Sequence, residues 1–163
     1  MPRRVPLKKA LPWFAAALAV LLADQATKLW ASRALADGWK EVTSFFNLVL
    51  LHNTGSAFSF LADAGGWQQF FFGAVALAVS VAMGWMILQE SSALAKSAAA
   101  LVLGGAIGNL VDRLAYGAVT DFLDFHWGTL HWPAFNIADT AIVVGVALLV
   151  LSELRGSGQA SKP

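Results

Sequence analysis

Along an otherwise apolar chain, a few side chains stand out for their chemistry. Asp24 and Lys28 sit in DQATK, His52 and Asn53 precede TGSAF, and Asn109, Asp112 and Arg113 close GGAIGNLVDR; Asp121 and Asp124 belong to VTDFLDF, and Asn136 and Asp139 to PAFNIADT. Ionisable groups at membrane depth cost a few kcal/mol each, so they point to function by default. Two carboxylates that share one water can perform acid and base chemistry. At close range they cannot both ionise, so one keeps a proton while the other acts as base. Asp121 and Asp139 flank a loop long enough to fold back and bring them together. By spacing alone, Asp112, Asp121, Asp124 and Asp139 all remain candidates.

Each of these groups also has a structural reading. Asp24 and Lys28 lie one helical turn apart and can form an i,i+4 pair. Asn136 followed three residues later by Asp139 is a helix-capping pattern. Asp112 beside Arg113 can end a span as an ion pair, and Gly104 with Gly108 has the small-xxx-small spacing of helix packing. His52, His126 and His131, with Asp121 and Asp124 nearby, suggest a metal, but no recognised ligand spacing supports one. Ser56 lies in TGSAF, not in a nucleophile elbow, and with no cysteine in the chain thiolate chemistry and disulfides are excluded.

The elements that must position these residues are membrane spans. Of 163 residues, 58% are hydrophobic and only 13% charged, with a mean hydropathy of +0.63, outside the range of soluble domains. Four apolar segments are long enough to cross, at about Leu11–Trp30, Trp67–Leu88, Ala93–Val111 and Ala134–Leu154. Together they make a single four-helix transmembrane domain over residues 1–154, followed by a tail, 155–163, expected to be disordered. Asp24, Lys28 and Arg33 make a poor cleavage region, so the first segment reads as a retained span rather than a signal peptide. Near the span ends, seven Lys and Arg on one side oppose three on the other, which puts both termini in the cytoplasm. Trp30, Trp39, Trp67, Trp127 and Trp132 then gather at the outer face, with Trp13 and Trp85 at the inner one. Glu41–Leu51 reads as one or two short strands and Val119–Trp132 as partly extended, and at that depth their backbones must pair. With this topology the polar residues from separate stretches converge on the extracytoplasmic side. A net charge of +1 without a basic aromatic patch gives no reason to expect nucleic acid.

DQATK, NTGSAFSF, GGAIGNLVDR, VTDFLDF and PAFNIADT, in that order, resemble bacterial lipoprotein signal peptidases, the signal peptidase II family of membrane aspartic proteases, from Leu11 to Leu154. The resemblance implies an all-α membrane protein of four transmembrane helices, with a small extracytoplasmic β-rich cradle and a short helix on the outer leaflet. It implies a catalytic pair, Asp121 and Asp139, with Asp124 a bystander. Asn53, Asn109, Arg113 and Asn136 match substrate-holding positions, and Asp24, Lys28, Gly55 and Asp112 match supporting ones. The implied reaction removes the signal peptide of a prolipoprotein just before a diacylglyceryl-modified cysteine. The enzyme would be a monomer of the bacterial inner membrane, without metal or cofactor, in contact with membrane lipid and inhibited by globomycin-type compounds.

Two readings of other classes compete. A small proton-coupled carrier would use Asp24, Asp112 and Asp139 as a relay, and predicts carboxylates spread through the bilayer depth. A non-enzymatic assembly factor would use its glycines for packing and tolerate Asp→Asn changes.

Overall fold

The structure is a computed structural model and describes residues 4–55, 66–89 and 91–160, with side chains to Arg155. Four long helices, α1 (Leu7–Ala34), α2 (Gln68–Leu88), α3 (Ala93–Tyr116) and α4 (Ile137–Ala160), are each long and apolar enough to cross a membrane. Two strands, β1 (Lys40–Thr43) and β2 (Phe46–Asn53), follow α1, and β3 (Val119–Trp127) with β4 (Leu130–His131) join α3 to α4. The strands form one antiparallel sheet in the order β1-β2-β3-β4, at the end of the bundle where α1 and α3 finish and α4 begins. At the opposite end the Val5 N–H donates to Leu88 O, fastening the start of the chain to the end of α2. The expected short helix falls partly on Ala57–Phe60, outside the described residues, and none is found among those described.

Helix α3 is the axis of the bundle: its buried face runs from Ala95 to Asp112, whereas the other helices turn many large apolar side chains outward. Small residues let its neighbours approach closely. A Cβ on Gly105 would run into Ala138 O of α4, and one on Gly108 would sit 2.5 Å from Asp24 Oδ2 of α1. Glycine here serves contact between backbones and a buried carboxylate, and interior packing without voids leaves no room for a methyl group.

Helix α1 runs about a turn beyond its expected span at each end, and two further boundaries differ by more. Helix α3 continues past Val111 to Tyr116, because Asn109, Asp112 and Arg113 find partners inside the protein and do not end the helix. Gly117, at φ +72°, closes it in the left-handed conformation, its N–H bonded to Arg113 O. Helix α4 reaches Ala160, into the segment expected to be a disordered tail, since no proline follows Pro133 before Pro163 to stop the ladder.

The sheet carries one irregularity that matters for the site. Leu48 lies across from Leu123 and Leu51 across from Asp121, so β2 holds one more residue than β3 over that stretch. This bulge re-phases β2. Asn47 consequently stands opposite Asp124, while Asn53 stands opposite Val119 and reaches Asp121 diagonally.

Candidate active site

The site is built where the sheet meets the bundle. Asp121 lies on β3, 3% exposed, and receives hydrogen bonds on both oxygens: Asn136 Nδ2 donates to Oδ1 at 2.7 Å and Asn53 Nδ2 to Oδ2 at 3.1 Å. The two amides cannot turn round freely. Asn136 Oδ1 accepts from the Asp139 N–H at 2.9 Å and Asn53 Oδ1 from the Gly55 N–H at 3.0 Å, so each is oriented by a backbone donor. Burial, followed by the nearby charge of Asp139, pushes the Asp121 carboxyl up from its ordinary 3.8 to about 7, against the pull of the Asn53 and Asn136 hydrogen bonds.

Asp139 sits in the first turn of α4. Its Oδ2 accepts from the Asn136 backbone N–H at 3.2 Å, and its Oδ1 from Asn109 Nδ2 of α3 at 2.8 Å. With the return bond to Asn136 Oδ1 this is a reciprocal cap of the helix start. The capping expectation therefore holds, and the same two residues also carry the carboxylate into the site.

Beneath the carboxylates lies a buried ionic layer. Lys28 Nζ is 2.8 Å from Asp24 Oδ2 and 2.9 Å from Asp112 Oδ2, and it donates to Asn109 Oδ1 at 3.0 Å. The i,i+4 pair of Asp24 and Lys28 is present, but Asp112 pairs with Lys28 of α1 and not with its neighbour Arg113. Asp24 Oδ1 further accepts from the Ala138 N–H, and Asp112 Oδ2 from the Thr120 N–H, so α1 and α3 hold the segments that carry Asp139 and Asp121. Gln25, which sequence reasoning passed over, donates to Asp112 Oδ1 and to Gly108 O. Its only signal was its place beside Asp24 in DQATK.

Arg113 stands at the mouth. Its guanidinium donates to Asn109 O at 3.3 Å and Gly55 O at 3.4 Å and lies over the Phe72 ring, while its buried Nε has no partner among the described residues. Asn53, Asn109, Arg113, Asp121 and Asp139 all line one cavity of about 520 Å³, which continues along the apolar α4 side chains Ile142, Val143 and Val144. Asn136 is fully buried behind it. The structure thus brings together the residues singled out in four separate stretches. Asp124 stands apart, held by Asn47 Nδ2 at 3.0 Å and His131 Nδ1 at 2.9 Å. No group of three or more His, Cys, Asp or Glu able to hold a metal occurs among the described residues, and Ser56 lies outside them. Asp24, Asp112, Asp121 and Asp139 lie in one network at one end of the bundle, not in the distributed series a proton relay would need.

Fold and site define a polytopic membrane protein with one buried carboxylate, Asp121, and one partly buried, Asp139, facing a cavity that continues along apolar α4 side chains. Residues 16–155 match the model of the family described as signal peptidase (SPase) II, and the chain belongs to that family. It is a peptidase and a multi-pass bacterial membrane protein. It is 53% identical over 146 residues, 88% of this chain and 85% of the relative, to a lipoprotein signal peptidase of Paraburkholderia phytofirmans. To that of Cupriavidus taiwanensis it is 52% identical over 147 residues, 89% and 84% of the two chains. Among solved structures, a bacterial membrane enzyme determined by the in meso method at 2.3 Å superposes with a TM-score of 0.81 at 26% identity, covering 100% of this chain and 98% of the other.

Proposed function

We propose that this protein removes the signal peptide from diacylglyceryl-modified prolipoproteins, cutting just before the lipidated cysteine, with Asp121 and Asp139 as an aspartic protease pair. The observation that carries the reading is Asn136, which donates its side chain to Asp121 and its backbone N–H to Asp139, so one residue fixes both carboxylates at one cavity. A water held between them loses a proton to the ionised carboxylate as its oxygen attacks the scissile carbonyl. The protonated partner donates to the carbonyl oxygen, giving a gem-diol. As this collapses, the C–N bond breaks, the departing amine takes up the proton held by the first carboxylate, and one gem-diol hydroxyl returns its proton to the partner carboxylate, which restores the pair. The donors already on Asp121 and Asp139 occupy one lone pair of each oxygen and leave the others for water and substrate.

Asn53, Asn109 and Arg113 line the same cavity and have the donors to hold an extended peptide and to stabilise charge on its carbonyl oxygen. The apolar wall of Ile142, Val143 and Val144 suits a signal peptide arriving from lipid, whose central region is itself apolar. A bond anchored by its lipid at the membrane surface would meet the pair at the outer end of the bundle, with both termini cytoplasmic by the charge balance. Globomycin-type compounds would occupy this cavity. The deciding experiment is cleavage of a lipidated prolipoprotein by purified enzyme in detergent. Wild type should cut before the cysteine, and Asp121→Asn and Asp139→Asn, each with an intact melt, should not. Cleavage by both variants would sink the pair.

A further inference from the structure

A second cavity, of about 710 Å³, adjoins the first and shares Asn53, Asp121, Trp132, Pro133 and Ala134 with it. The two differ in chemistry. The first continues along lipid-facing aliphatic residues of α4, whereas the second runs over the sheet, where His52, Thr54, Asp124 and His131 line it. Asp121 stands at their junction. A substrate threaded across Asp121 therefore has one arm in each cavity. Its apolar signal peptide belongs on the aliphatic side, which leaves the sheet side for the polar chain that follows the cut.

No Lys or Arg lines the sheet-side cavity among the described residues, and its carboxylates are Asp121 and Asp124. Asp124 is built in with care for a residue outside the acid and base pair. It is 5% exposed, its Oδ2 takes Asn47 Nδ2 from β2, and its carboxylate holds the Nδ1 of His131, whose side chain is half exposed. These bonds fix the carboxylate's position without a lysine or arginine to cancel its field.

We propose that the sheet-side cavity receives the first residues of the mature chain, on the carboxyl side of the cut, and that Asp124 makes it discriminate against acidic side chains there. This rests on the peptidase reading above. A partly screened charge lining such a cavity discriminates by roughly two- to fivefold.

The test uses full-length enzyme at pH 7 and lipidated prolipoproteins that differ only in the residue after the cysteine, Lys, Ser or Glu. Wild type should show a kcat/KM about two- to fivefold higher for Lys than for Glu, and Asp124→Asn should bring that ratio close to one. Should Asp124→Asn fail to fold, the exposed His52 decides: His52→Lys should lower the ratio and His52→Glu raise it. Equal rates on Lys and Glu substrates, a ratio indifferent to both Asp124 and His52, or the same ratio when the charge is moved ten residues downstream would each overturn the inference while leaving the peptidase standing. Failure to cut any of the three substrates would remove the peptidase reading, and this inference with it.

Discussion

Asn136 and Asp139 cap each other: the Asp139 N–H donates to Asn136 Oδ1 at 2.9 Å, and the Asn136 N–H to Asp139 Oδ2 at 3.2 Å. The start of α4 and the placement of one carboxylate are thus the same piece of structure. Asn136 Nδ2 then spans to Asp121 at 2.7 Å. Replacing Asn136 by Ala removes the cap acceptor and the bridge together. Loss of an N-cap costs about 1 kcal/mol and the buried acceptors left without their donor about 1–3 kcal/mol more, so the melting temperature should drop by several degrees. Cleavage should fall far more, by about a hundredfold or beyond, because Asp121 loses the nearer of its two fixed donors and its tie to Asp139. Measuring melt and kcat/KM on one preparation separates the two effects.

Lys28 neutralises two carboxylates that have almost no access to solvent, Asp24 at 0% and Asp112 at 2%. Lys28→Met leaves both buried without a counter-charge, which costs about 3–5 kcal/mol for a buried pair broken on one side. The melt should collapse or the protein fail to accumulate. The triple change Lys28→Met, Asp24→Asn, Asp112→Asn should recover part of the loss, and no recovery would argue that Lys28 acts through its bond to Asn109 instead.

Two glycines on different helices should respond to alanine with opposite signs. Gly108→Ala puts a methyl carbon 2.5 Å from Asp24 Oδ2, and over-packing of this kind costs about 1–3 kcal/mol. Gly84 of α2 has nothing within 4 Å of the same position, so Gly84→Ala should raise the melting temperature slightly through helix propensity. Parallel thermal melts in one detergent check the pair.

The pH dependence of cleavage follows from Asp121. Its carboxyl is held up at about 7, so below that pH the pair keeps a proton to donate, and above it the proton is lost. The kcat/KM should fall about tenfold per pH unit on the alkaline side, with the bend near 7. Asn53 donates to the ionised form and lowers this value, so Asn53→Ala should move the bend to higher pH as well as slowing the reaction. A bend that stays in place would mean that another group sets the limb.

Much of this protein could be read from its sequence. Lipid demands long apolar helices, so spans of about twenty residues and their number follow from composition alone. The cost of placing Asp24, Lys28, Asp112 and Asp139 in or beside such spans marked them as functional or paired, and the N-x-x-D pattern announced a cap. Motif order carried the resemblance to signal peptidase II, which the family match bears out. Partner choice was not legible, since adjacency in sequence suggested Asp112 with Arg113, whereas the crossing of α1 and α3 gave Asp112 to Lys28. Nor was the bulge in β2, which sends Asn47 to Asp124 and Asn53 to Asp121 although the two asparagines sit six positions apart on one strand. Helix and span are local properties of the chain, written in period and hydropathy. Which buried charge meets which counter-charge, and which strand slips by a residue, is settled by packing between segments distant in sequence, and that only the tertiary structure decides.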